Sequence, residues 1–113
     1  MTARGIDELF AQAVSGDYED DAPWEAVRAL RSIGTRQIFE RAADLCKSTD
    51  PLSRARGADV LAQLGKTADH RSNTFPEESY SVITELVQRE TEPQPLAAGI
   101  AALGTSTTHW LFR

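Results

Sequence analysis

A chain of 113 residues with 41% hydrophobic residues is long enough for one domain with a modest core and too short for two ordinary ones. It shows no basic leader before an apolar run, no apolar stretch near the roughly 20 residues that cross a bilayer, and a single cysteine, Cys46; a reducing, cytoplasmic location without membrane contact is expected. The net charge of −5 is concentrated before Pro23, where Asp7, Glu8, Asp17, Glu19, Asp20 and Asp21 face Arg4 alone; the remainder is balanced, which excludes the broad basic footprint of a nucleic-acid binder.

In chain order, Arg4 to about Val14 is an amphipathic helix with Ile6, Leu9, Phe10 and Ala13 on one side, ended by Gly16. Asp17 to Asp21 form an acidic link in which Tyr18 is the one anchor. A helix from Pro23 to Ile33 carries Trp24, Val27, Leu30 and Ile33 at spacings of three and closes at Gly34. Another follows at once, capped by Thr35 and running to Lys47 with Ile38, Phe39, Ala42, Leu45 and Cys46 inward. Cys46, inside that pattern, is expected to be a packed, inert thiol. From Asp50 to Gly65 both helix ends are marked: an aspartate that can cap, a proline at the first turn and a terminal glycine. Its inward face, Ala55, Ala58, Leu61, Ala62 and Leu64, is dominated by small residues, so its neighbours must come close. After a polar stretch from Lys66 to Thr74, a helix from Pro76 to Glu90 has Ser79 or Tyr80, Ile83, Leu86 and Val87 as its stripe. The last helix spans Pro93 to Leu103 and is ended by Gly104. No segment alternates with period two for long enough to argue a strand, so the fold class is all-α.

Three of these helices repeat one pattern. Leu30, Leu61 and Leu103 share a position, 31 and then 42 residues apart, and Ala26, Gly57 and Gly99 lie four residues before them. With Asp50, Pro51, Arg54, Gly57, Ala58, Leu61, Ala62, Leu64 and Gly65, the chain resembles the HEAT-repeat family, and within it the short-repeat branch named after phycobilisome lyases. The third copy keeps Pro93, Gly99, Ile100, Leu103 and Gly104 but has Glu92 and Leu96 where the pattern has aspartate and arginine; the first has no Asp-Pro. The resemblance covers about Asp21 to Gly104. It implies an α-α superhelix, a short solenoid of antiparallel helix pairs, with first helices outside and second helices on the concave side. It also implies a structural Arg54 that reaches an aspartate of a neighbouring repeat. The expected division is residues 1–22, an N-terminal helix and acidic linker, and residues 23–113, HEAT-like repeats with an incomplete last pair.

No catalytic constellation is visible, and no enzyme activity, cofactor or metal is expected. His70 and His109 are far apart and have no second ligand at metal spacing, and there is no nucleophile elbow or phosphate loop. The expected function is a non-catalytic scaffold that binds a protein or peptide on the concave helix face, through Arg36, Glu40, Arg41, Asp44, Glu85, Gln88 and Arg89, a mixed-charge shelf that also takes in Lys47 and Ser81. Arg36, Glu40 and Asp44 stand at i, i+4 and i+8, so mutual pairing on a solvated face explains them equally. His70, Arg71 and Asn73 form a loop cluster. The apolar run Trp110, Leu111 and Phe112 is expected to associate, making a homodimer through the C-terminal end. A bilin or tetrapyrrole lyase-like or chaperone role is the alternative that the resemblance implies; recognition of damaged nucleic acid is disfavoured by the acidity.

Overall fold

The computed structural model describes residues 5–66 and 73–111, with side chains as far as residue 104. Six helices make up the described chain: α1 (Ile6–Ala13), α2 (Asp21–Ile33), α3 (Arg36–Leu45), α4 (Pro51–Ala62), α5 (Pro76–Arg89) and α6 (Pro93–Leu111). The described residues contain no strand, and the fold is all-α.

Local chemistry accounts for most of the helix ends. Asp50 caps α4 by accepting from the Ser53 amide at 3.0 Å and from its hydroxyl at 2.8 Å. Gly34 takes the left-handed conformation after α2 and donates back to the Leu30 carbonyl, as a glycine stop should. Three expectations are corrected. Thr35 stands at the start of α3 in extended backbone, but its side chain makes no capping bond. α2 begins at Asp21, ahead of Pro23, because a proline in the first turn withholds an amide that has no helical partner anyway. α6 runs through Gly104, which lacks the positive φ of a terminating glycine; an exposed glycine inside a helix costs about 1 kcal/mol and does not by itself stop it.

α4 is the centre of the molecule. It packs against α2, α3, α5 and α6, and every residue from Ala55 to Ala62 is buried. The small face does what its composition predicts. A methyl added at Gly57 would lie 2.7 Å from the Ala42 carbonyl oxygen and 2.9 Å from the Cys46 amide nitrogen, so α3 passes at backbone distance. At Gly99 in α6 the same methyl would meet Val87 of α5 at 2.7 Å. Both glycines therefore face the helix that precedes their own. The most extensive packing is α4 on α6, followed by α1 on α2, α3 on α4 and α5 on α6.

The ends of α2 and α4 are sewn together. The Gly65 amide donates to the Arg31 carbonyl at 2.6 Å, and a Cβ at Gly34 would lie 2.5 Å from the Gly65 Cα, so the two terminal glycines touch. Thr74 closes the same corner, its amide on the Leu64 carbonyl and its hydroxyl on the Gly34 carbonyl, both at 3.0 Å. Ile33, expected inside, is 46% exposed. A strict three-residue spacing drifts about 60° per step around a helix, so Trp24 and Ile33 end half a turn apart.

Candidate functional site

The sequence-predicted shelf lies on α3 and α5, which touch each other. Arg36 bridges them, with Nη1 donating to the Glu78 carboxylate at 2.7–2.8 Å, Nε 3.4 Å from Glu40, and the guanidinium over the rings of Phe39 and Phe75. Arg41 turns the other way, toward α1, where it meets Asp7 at 2.6 Å and stacks on Phe10 at 4.6 Å. Arg89 donates to the Cys46 carbonyl at 3.1 Å and lies 3.5 Å from Glu85. Glu40, Asp44 and Gln88 are exposed. Among the described residues Arg41 and Arg89 thus have different partners, and the shelf divides into an α1 side and an α5 side.

On the α5 side two adjoining hollows open. One, about 210 Å³, is lined by Lys47, Ser48, Arg54, Arg89, Glu90 and Thr91. The other, about 100 Å³, is lined by Lys47, Ser81, Val82, Glu85 and Arg89. Lys47 and Arg89 border both. Arg54 and Glu90 form a fork-to-fork pair at 2.7 and 2.9 Å, and Arg54 also donates to the Ser48 carbonyl at 3.0 Å. The family resemblance implied an aspartate for Arg54; the anion is this glutamate, at the end of α5. Its carboxylate also accepts the Thr91 and Glu92 amides. The Arg54 hydrogen bonds hold the Glu90 carboxyl below its ordinary range. With that pair satisfied, Lys47 and Arg89 supply the exposed positive edge; Arg89 lies beside Glu85, and Lys47 has no carboxylate partner among the described residues.

The sequence reading missed a buried cluster on the opposite side of α4. Arg56 is fully buried, its guanidinium 4.5 Å from the Tyr18 ring centroid and 4.9 Å from that of Trp24. Its Nη2 donates to the Tyr18 carbonyl at 2.7 Å and the Asp17 carbonyl at 3.3 Å, and the indole nitrogen donates to the same Tyr18 carbonyl at 2.8 Å. The Tyr18 hydroxyl donates to Asp59 at 3.1 Å, and Arg31 donates to the Asp59 carbonyl at 2.8 Å. Arg56 Nε and Nη1 and one Asp59 oxygen have no hydrogen-bond partner, and Nη1 lies 3.8 Å from that oxygen. Burial, the largest influence, pushes the Asp59 carboxyl up to about 6 and lowers Arg56. The cluster binds the acidic link down over α4. The available signal was the pair Tyr18 and Trp24, two large aromatics flanking a link otherwise made of acids.

The loop residue Asn73 is buried and spends its amide on structure, donating to the Leu61 carbonyl and accepting the Phe75 amide, each at 2.8 Å. His70, Arg71 and Phe112 lie outside the described residues, as do the side chains of Trp110 and Leu111. Cys46 is buried against Gly57, and desolvation raises its thiol to about 12, so thiolate chemistry is suppressed. Among the described residues no three His, Cys, Asp or Glu side chains group as a metal site, and no helix is long and apolar enough to cross a membrane. A third hollow, about 470 Å³, lies between Gly16–Asp20, Leu52 and Gln94 and is edged by the acids of the link. No protein-family model, no curated protein and no solved structure matches the chain.

Proposed function

We propose that the chain is a non-catalytic interaction module, a short HEAT-like stack of helix pairs that takes a protein or peptide on the face made by α3 and α5. The observation that supports this reading is the paired hollow beside Lys47 and Arg89. It is open and edged by a lysine with no carboxylate partner among the described residues and an arginine whose orientation is set by the Cys46 carbonyl. The rest of the shelf is of mixed sign, which suits a folded surface or peptide better than a uniform polyanion. Arg36 and Arg41 belong to the scaffold in this reading, because each is spent on a carboxylate and an aromatic ring.

The test is affinity capture from the producing cells, with partners quantified on the wild-type protein and on two charge-reversed variants that melt like it. Lys47→Glu with Arg89→Glu should release the captured partner, whereas Arg36→Glu with Arg41→Glu should leave the capture in place. Capture that is indifferent to the first pair, or no specific capture at all, removes the proposal.

A further inference from the structure

Resting on that reading, we infer that the partner segment presents one isolated carboxylate, an Asp or Glu side chain, to the gap between Lys47 and Arg89. The exposed cationic edge consists of these two groups: Lys47 has no carboxylate partner among the described residues, Arg89 lies 3.5 Å from Glu85, and Arg54 is neutralised by its bidentate bond to Glu90. Ser48, Ser81 and Thr91 add polar wall, and Val82 adds an apolar patch against which the methylene stem of an acid can lie. Arg89 is held by its bond to Cys46, so less freedom is lost when it closes on a ligand.

The surroundings limit what kind of anion fits. Asp44 stands exposed on α3, one turn before Lys47, and Glu85 lies 3.5 Å from Arg89 on the rim of the hollow. The carbonyl end of α3 also points its partial negative charge at this corner. A polyanion or a run of acids brings further negative charge against Glu85 and Asp44. A single carboxylate flanked by neutral or basic residues meets Lys47 and Arg89 without that added repulsion.

The probes are two fluorescein-labelled glycine-serine peptides, each with lysines flanking a central residue, which is glutamate in one and glutamine in the other. Binding to the full chain is followed by anisotropy into the low-millimolar range. The glutamate peptide should bind about fivefold tighter, a difference expected from one recognised surface carboxylate. Lys47→Gln with Arg89→Gln should cancel that preference. Glu85→Gln should enlarge it by roughly threefold, since a competing anion is removed. Arg36→Gln with Arg41→Gln should leave it unchanged.

No preference for glutamate, or a preference that survives Lys47→Gln with Arg89→Gln, overturns the inference. A captured partner lost on reversal of Lys47 and Arg89, together with peptides bound equally, removes the carboxylate chemistry and leaves the surface. A glutamate preference with capture indifferent to those residues does the opposite.

Discussion

Replacing Gly57 by alanine isolates the close approach on which the core of this molecule depends. The new methyl would lie 2.7 Å from the Ala42 oxygen and 2.9 Å from both the Cys46 nitrogen and sulfur, where ordinary contact begins at 3.4 Å. The oxygen and nitrogen belong to one hydrogen bond in the last turn of α3, with Cys46 donating to Ala42 at 3.1 Å. Neither can step aside by changing a rotamer, so α3 and α4 must separate by about half an ångström. Glycine to alanine gains about 1 kcal/mol of helix propensity, and overpacking that moves backbone costs up to about 3 kcal/mol. A net loss of about 2 kcal/mol, or a melting temperature lower by roughly 8–16 °C, is expected from urea and thermal unfolding followed at 222 nm. Gly99→Ala is the internal comparison: its methyl would clash with a Val87 methyl at 2.7 Å and make ordinary contact with Leu86 at 3.8 Å, so Val87→Ala in the same chain should relieve the clash and recover most of the lost stability. Cys46→Ala should not rescue Gly57→Ala, because the backbone clashes persist. A Gly57→Ala protein as stable as wild type, or one rescued by Cys46→Ala, would refute the reasoning.

Two further expectations concern charge. The folded chain holds the Asp59 proton more tightly than the unfolded chain, because burial raises the carboxyl from 3.8 to about 6. Its contribution is fully present below about pH 4 and lost as pH rises through 6, a change of roughly 3 kcal/mol. Urea midpoints measured from pH 4 to 7.5 should fall accordingly in the wild type and flatten in Asp59→Asn; equal slopes in both contradict the assignment. Glu90 has the opposite sign: held low by Arg54, it stabilises above its ordinary value of 4.5, and that contribution disappears as pH drops through the folded value. Arg54→Met strands a glutamate whose side chain is 2% exposed and should cost about 2–4 kcal/mol at pH 7, most of it recovered by adding Glu90→Gln. No recovery in the double variant would place the value of Arg54 elsewhere.

The helices were legible because their ends and stripes are written in local chemistry. Asp50 with Pro51, the glycines after α2 and α4, and the spacing of Ile38, Phe39 and Ala42 each act within a few residues. The small column also transferred, since Gly57 and Gly99 need only a close neighbour to be explained. Which neighbour was not legible: a helix with small residues can pack toward the chain before it or after it, and sequence order does not choose. The same limit hid Arg56. Nothing in the local pattern of α4 marks Arg56 and Asp59 as buried, yet Tyr18 and Trp24, more than thirty residues away in the chain, close over them. The helices that carry the shelf's charges were legible and the pairing of those charges was not: they are on α3 and α5 as the 3.6-residue period demands, but long side chains choose partners across helices, and Arg41 reaches Asp7 while Arg36 reaches Glu78.

The α3/α5 surface is tested most directly by measuring the affinity of the captured partner for Lys47→Glu with Arg89→Glu beside the wild type, with unfolding midpoints matched. The account predicts that affinity falls by at least about tenfold while the midpoint stays put, as expected when two exposed recognition charges are reversed. Equal affinity for the two proteins would contradict it.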